Sequence, residues 1–444
     1  MIAAWLVSAP VALALDPHRA IAERFAPVLY QDVADGLTND PERRRWDFIT
    51  AVDFDGNLDA TDNVENTDSY PLPGVVYYEA VETETHLFLL YSLFHPIDWN
   101  DLNLIDHEND LEQVWLVLVK GLDGDPSLRV VHTQAHGQLF AWADDPPGGP
   151  FPVSDGGLDL EGDHPRIFVE AHGHGPVSCS HGGGLPFLQA IDCSPSPDED
   201  MVVYRVAPGA AVTDIAEPDT AGAVVEARYA LVHGLDALWP YRAYIEGDGV
   251  SPPLWDQPFT YASGRGLDID PGPAWMGGDF AGDEGGGVGT PPWAYHAVDS
   301  WLFGTHYGEP GDWLLDPAIL YAAMYDDPCE EVEGFDNYVY NPYLEAVLAG
   351  TPPYDGVDAG RRCDGIIEGP DTGDTGAVDT GPVDTGDPEA GDTGAEPPPD
   401  YDTGDTASEP AQEPSAPPEE AGCGCSGGAT WMVALPLLAW RRRR

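Results

Sequence analysis

The sequence predicts a mainly β fold, a β-sandwich with long Gly/Pro/Trp-rich loops and few short helices. Strand-length apolar runs recur between turn residues, the 444 residues include 51 Gly and 44 Pro, and only two segments read as helices. The first helix spans residues 16–25. A hairpin follows, with Gly74-Val75-Val76-Tyr77-Tyr78-Glu79-Ala80-Val81, a turn at 82–85, and the long apolar run His86-Leu87-Phe88-Leu89-Leu90-Tyr91-Ser92-Leu93-Phe94. Further strands are expected at 112–120, 128–135, 166–171, 201–206 and 224–232, spaced by Gly, Pro and Asp turns. Asp316-Pro317 starts the second helix, 317–325. Because the best strands are apolar on both faces, a packed sandwich is expected rather than a doubly wound parallel sheet. Between Trp239 and Trp313 the chain turns rich in Gly, Pro and Trp, an irregular cover over one sandwich edge.

Charge narrows the partners. Eighteen Lys plus Arg stand against 78 Asp plus Glu, a net charge of −60, and Lys120 is the single lysine. Phosphate backbones are repelled, so no nucleic acid is expected as a partner. Residues 365–421 hold 16 acids and no basic residue, leaving 62 acids against 14 basic residues before them, about −48 for the body alone. Such a field favours cations. An apolar content of 42% excludes a disordered chain as a whole.

Both ends read as addresses. Residues 1–14 form an apolar run closing on Ala12-Leu13-Ala14, the small-x-small pattern of a signal peptide. The body follows over 15–365. Residues 366–421 repeat Asp-Thr-Gly at Asp371, Asp374, Asp379, Asp384, Asp392 and Asp402 among Pro and Glu, a solvated, disordered acidic stalk. The same triplet occurs in aspartic proteases, but there the Asp needs an apolar loop and a second carboxylate, which this tract lacks. Residues 422–444 join Gly422-Cys423-Gly424-Cys425-Ser426 to a 14-residue apolar span and Arg441 to Arg444. That span is shorter than the roughly 18–20 residues a helix needs to cross a bilayer. This end resembles the MYXO-CTERM tag of myxobacterial surface proteins. The resemblance implies passage through the inner membrane, cleavage by a sorting protease beside the cysteine, and retention on the outer cell surface through a lipid on Cys423, as in a lipoprotein.

Without the tag, four cysteines remain: Cys179, Cys193, Cys329 and Cys363. In an exported body an even number points to disulfides, and local closure favours Cys179 with Cys193 and Cys329 with Cys363. No Cys-x2-Cys spacing supports zinc ligation.

Two segments carry chemistry. In Asp106-His107-Glu108-Asn109-Asp110-Leu111-Glu112, regular strand alternation puts Glu108, Asp110 and Glu112 on one face and His107 on the other. Three carboxylates at the mouth of a core strand repel one another, and a hard divalent cation is the simplest way to neutralise them. In Glu170-Ala171-His172-Gly173-His174-Gly175 the polar groups share one parity, and the glycines leave room for a ligand. Together the segments make a mixed N/O site for Ca, Mg, Mn or Zn, with His107, Glu108, Asp110, Glu112, His172 and His174 as metal candidates. Glu170 is the candidate base if the ion serves hydrolysis. Nine of the 13 histidines lie between His86 and His181, and His132, His136 and His181 either make supporting contacts or are merely polar. The loop Asp53-Phe54-Asp55-Gly56-Asn57-Leu58-Asp59 alternates oxygen ligands as calcium loops do, but its glycine is at the fourth rather than the sixth position an EF-hand needs, so it is either a structural calcium loop or a solvated turn. Trp275, Trp293, Trp301 and Trp313 either line a carbohydrate platform or serve as core cover.

The run Phe94-His95-Pro96-Ile97-Asp98-Trp99, the segment 106–112 and the later strand 165–175 together resemble the vacuolar protein sorting 62-like and necrosis-inducing β-sandwich proteins. The necrosis-inducing heptapeptide is Gly-His-Arg-His-Asp-Trp-Glu. His107, Asp110 and Glu112 fall on its second, fifth and seventh places, while Asp106, Glu108, Asn109 and Leu111 replace Gly, Arg, His and Trp. The resemblance implies a divalent ion held by acidic and histidine residues in a cleft used at membrane glycolipids. Three functions are therefore expected in turn: an ion-dependent binder of a polar head group or glycan, a metal-dependent hydrolase acting on a glycan or phosphoester, and a structural surface coat.

Overall fold

The computed structural model describes residues 16–33, 43–99, 106–121, 125–135, 137–151, 153, 155–180, 193, 200–219, 224–243, 253–261, 275–282, 289–298, 305–327 and 334–347. The helices are α1 (Arg19–Phe25), α2 (Asn63–Asn66), α3 (Gly234–Ala237), α4 (Pro317–Met324) and α5 (Pro342–Val347). The first eight strands are β1 (Val28–Asp32), β2 (Val75–Thr83), β3 (His86–Asp98), β4 (His107–Lys120), β5 (Pro126–Ala135), β6 (Gln138–Trp142), β7 (Leu160–Glu161) and β8 (His164–Val169). The rest are β9 (Pro176–Ser178), β10 (Met201–Val206), β11 (Val224–His233), β12 (Trp255–Thr260), β13 (Trp275–Phe280), β14 (Ala297–Val298), β15 (His306–Tyr307) and β16 (Tyr338–Tyr340). The chain is mainly β, as the sequence pattern predicts. Each predicted strand and both predicted helices form, with ends shifted by a few residues. The strands not anticipated are short or, like β12 with Pro258, interrupted by a residue that weakens a strand reading.

Twelve strands make one sheet in the order β6-β5-β4-β3-β2-β11-β10-β1-β8-β7, with β16 added to β2 and β9 to β8. The pairs β1/β8, β10/β11 and β11/β2 are parallel, and the others antiparallel. The far edge folds back so that β9 lies against β5 and β4, and the sheet nearly closes on itself.

This topology explains the long apolar runs. Along β3, Leu87, Leu89, Tyr91 and Leu93 enter the interior of the rolled sheet together with Ala22 and Phe25 of α1. The alternate residues Phe88, Leu90 and Phe94 face a second core. β4 divides the same way, with Val114, Leu116 and Leu118 inside and Leu111, Trp115 and Val117 on the opposite face. Fully burying one such side chain contributes roughly 2 kcal/mol, so both faces of these two central strands are strongly specified.

The Trp-rich segment was expected over a sandwich edge; instead it covers a face. Trp239, Trp255, Trp293, Trp313 and α4 pack on the outer side of β2 to β6. A sheet apolar on both faces needs a layer on each. Trp293 and Trp313 are each 1% exposed and act as core cover rather than as a carbohydrate platform. The side chain of Trp275, and all of Trp301, lie outside the described residues. The Cys179–Cys193 disulfide forms, with the Cα atoms 5.6 Å apart. Cys329, Cys363, the leader, the stalk and the tag with Cys423 also lie outside the described residues. No helix among the described residues is long and apolar enough to cross a membrane.

Candidate functional site

β3 and β4 are paired over their whole length, with Asp98 opposite His107 and His95 opposite Asp110. Near the start of β4, Asn109 adopts a left-handed backbone (φ 61°). Asn tolerates this conformation better than most residues. Here it is held by its side chain, which donates to the carbonyls of Ala60 (2.6 Å) and Ala281 (2.7 Å) and accepts from Asn63 (2.6 Å). The twist at Asn109 breaks the alternation assumed from sequence. His107 joins Asp110 and Glu112 in lining a cleft of about 590 Å³, whereas Glu108 is turned out of that group and accepts from the Val64 amide of α2 at 3.1 Å.

The inner wall of the cleft carries Asp98, His107, Asp110 and Glu112; Gln134 of β5 lies beside them. The Trp-rich cover supplies the outer wall, including Gln257, Phe259, Asp279, Tyr295 and His296. No Lys or Arg lines the cleft among the described residues. Asp98 was not among the residues nominated for metal binding. The available signal was its place in the run 94–99, but only the β3–β4 register puts its Oδ2 3.5 Å from His107 Nε2.

The charges are poorly compensated. Burial raises the pKa of Glu112 well above the usual carboxylate range, and the charges of Asp110 and Asp98 push it further despite a hydrogen bond from the Tyr295 hydroxyl (3.3 Å). Asp98 is likewise raised, first by burial and then by Asp110, against the pull of His107. Burial opposes charge on His107, yet the Asp98 and Asp110 carboxylates carry its pKa up to about 9. His107 Nδ1 donates to the Glu108 carbonyl (3.2 Å), which leaves Nε2 as the atom facing Asp98.

The second segment reaches the same place from behind. His174 is fully buried, with Nδ1 2.9 Å from Asp110 Oδ2 and Nε2 3.2 Å from Asp47 Oδ1. Burial alone would lower its pKa; the bonds to Asp110 and Asp47 outweigh this and raise it to about 10. His95 stacks on the His174 ring at 3.7 Å, and its own pKa is held well below the usual value by burial and by His174. Ligand atoms of His95, Asp110 and His174 lie within 4.8 Å of one another, a spacing at which these residues could hold an ion.

The other nominated residues go elsewhere. His172 packs its ring on Trp99 at 3.9 Å and donates its amide to Asp47 (2.9 Å). Glu170 is 4% exposed and is not among the residues lining the cleft, but its charge adds to those of Asp110 and Asp98 in raising the Glu112 carboxyl. His132 sits in the core against Tyr325, its pKa lowered to about 3 by burial. His136 and His181 lie outside the described residues. In the 53–59 loop, Asp55 accepts from Asn57 within the turn and from Asn66 of α2, and Asp59 accepts from Thr61.

No family model matches the chain, and no curated protein does. Among solved structures it is similar to one described as a toxin fold for microbial attack and plant defense, with 21% identity over 38% of this chain and 72% of the other and a TM-score of 0.25. It is also similar to NLPPya in complex with mannosamine, with 19% identity, 38% and 70% coverage and a TM-score of 0.23. A third is necrosis and ethylene inducing protein 2 from the causal agent of witches' broom disease of cocoa, with 17% identity, 38% and 71% coverage and a TM-score of 0.23. The chain thus has necrosis-inducing toxin-fold proteins among its structural neighbours.

Proposed function

We propose that the protein is exported, displayed on the outer cell surface by its acidic stalk and C-terminal tag after a sorting protease has acted there, and binds a polar head group or glycan through a divalent ion. The observation that carries this reading is the convergence of Asp98, His107, Asp110 and Glu112 on one cleft that lacks a lining Lys or Arg among the described residues. Three carboxylates and one imidazole are hard or borderline donors suited to Ca, Mg, Mn or Zn. The raised carboxylate pKa values of Asp98 and Glu112 are the mark of a cluster short of positive charge. When bound, the ion supplies a Lewis-acidic anchor for ligand oxygens. Asp98, His107, Asp110 and Glu112 hold it, Tyr295 steadies Glu112 from the outer wall, and Gln134, Gln257 and Thr290 offer polar contacts to hydroxyl groups.

Calorimetric titration of the full chain with Ca, Mg, Mn and Zn tests the ion. Wild type is expected to bind at least one of them and the Asp110→Ala, Glu112→Ala double variant none; equal binding by both sinks the proposal. Glycan and lipid arrays read with the preferred ion and with chelator then separate an ion-dependent binder from a surface coat that needs no ligand.

A further inference from the structure

The trio His95, Asp110 and His174 has the spacing of an ion site, but its hydrogen bonds describe something else. Each nitrogen of His174 already meets a carboxylate, Asp110 Oδ2 at 2.9 Å on one side and Asp47 Oδ1 at 3.2 Å on the other. A ring that donates from both nitrogens has no lone pair left for a cation. His95 places Nε2 3.1 Å from Gln31 Oε1, so its Nδ1 is the one ring nitrogen of the pair without a partner.

Asp47 is built as a foundation. It is fully buried at the end of the 3-10 turn Arg43–Asp47, and its Oδ1 also accepts from Trp99 Nε1 (3.0 Å) and from the His172 amide (2.9 Å). The turn that delivers His174 is strained: His172 and His174 both have positive φ, 74° and 51°. Together with Asn109, they are the only non-glycine residues with positive φ among the described residues. Strained backbone gathered at one place, held by buried hydrogen bonds, marks a geometry the fold maintains for use. Asp110 Oδ2 is taken by His174, and Oδ1 has no hydrogen bond among the described residues; Asp110 itself lines the cleft.

We infer that His174 is a positioning residue and not a metal ligand: braced on Asp47, it fixes Asp110 through Oδ2 and leaves Oδ1 to meet the ion from the cleft side. This rests on the reading of the cleft proposed above. It removes His174 from the ligand set expected from sequence and adds Asp47, which no motif marks, as the support behind it.

Two experiments on the full chain test it. Long-range 1H–15N spectra are recorded before and after saturation with Ca or Zn. Both His174 ring nitrogens are expected to keep protonated-type shifts throughout, while a His107 nitrogen moves on metal addition. A His174 nitrogen with a bare or metal-bound shift overturns the inference. Titration of variants gives the second readout. His174→Ala and Asp47→Asn are expected to weaken ion binding by about 10–100-fold, as loss of a supporting contact does. His174→Asn keeps a donor toward Asp110 and is expected to recover most of that loss. If Asp47→Asn binds like wild type while His174→Asn is as defective as Asp110→Ala, His174 is a ligand and the inference fails. Should His174→Ala not fold, the wild-type spectra and the other two variants still decide. If wild type binds no ion at all, the cleft reading falls, and the metal-free spectrum still judges His174: one bare ring nitrogen there refutes the bridge.

Discussion

Asp98 and His107 face each other across the β3–β4 ladder with Oδ2 and Nε2 3.5 Å apart, an ion pair at the lip of a cleft whose inner wall carries two further carboxylates, Asp110 and Glu112, and whose outer wall carries a third, Asp279. The two residues are adjacent only because two long strands pair in one register. Asp98→Asn is therefore expected to weaken divalent-ion binding by more than the roughly 10–100-fold that removal of a supporting contact costs. It should also lower the pKa of His107 toward the ordinary histidine range, since Asp98 is the strongest of the groups raising it. Calorimetry and histidine NMR titration check the two parts separately.

Tyr295 ties the outer wall to the inner one through its hydroxyl bond to Glu112 Oε2. That bond favours the ionised carboxylate. Tyr295→Phe should leave the fold intact, raise the Glu112 pKa further and weaken ion binding by about tenfold, since a hydrogen bond to a charged group is worth about 1.5–3 kcal/mol. Titration at two pH values reads it: the defect should shrink at the higher pH, where Glu112 ionises without help.

Asn109 holds the bend that brings His107 into line with Asp110. Asn109→Ala loses three side-chain hydrogen bonds and puts a Cβ residue without compensating contacts in a left-handed backbone. A loss of about 2–4 kcal/mol is expected in denaturant unfolding. Asn109→Gly relieves the backbone but not the missing bonds, and should lose less.

Glu79 is 2% exposed, with Oε2 unpartnered, and burial pushes its pKa from 4.5 to about 8. Below about pH 4.5 the folded and unfolded chains are both protonated at this group. Between there and pH 8 the unfolded chain ionises while the folded one stays neutral, so stability falls as pH rises and levels off once the folded group has ionised. The full effect is at most roughly 5 kcal/mol. Glu79→Gln should flatten this part of the stability profile and be more stable than wild type at pH 8; a profile of unchanged slope would refute the assignment.

The Cys179–Cys193 bond closes a short loop next to β9, the strand that folds the sheet back on β5. Reduction, or the paired serine variant, should cost about 3 kcal/mol by loop-closure entropy. Thermal unfolding with and without reductant measures it.

Sequence alone determined the strand inventory of the sheet's centre and the acidic, histidine-bearing segments, because alternation, turn residues and charge are local properties. It also placed Asp110 and His174 in one neighbourhood, since each lies at the end of an apolar strand. Tertiary structure decided the rest. Strand register brought Asp98 to His107, a left-handed Asn109 exchanged Glu108 for His107 on the cleft wall, and folding of the 3-10 turn onto β3 set Asp47 behind His174. The Trp-rich segment became the cleft's far wall because β2 to β6 expose a second apolar face that only another layer can bury. Such outcomes depend on which distant surfaces meet, and no window of neighbouring residues encodes that.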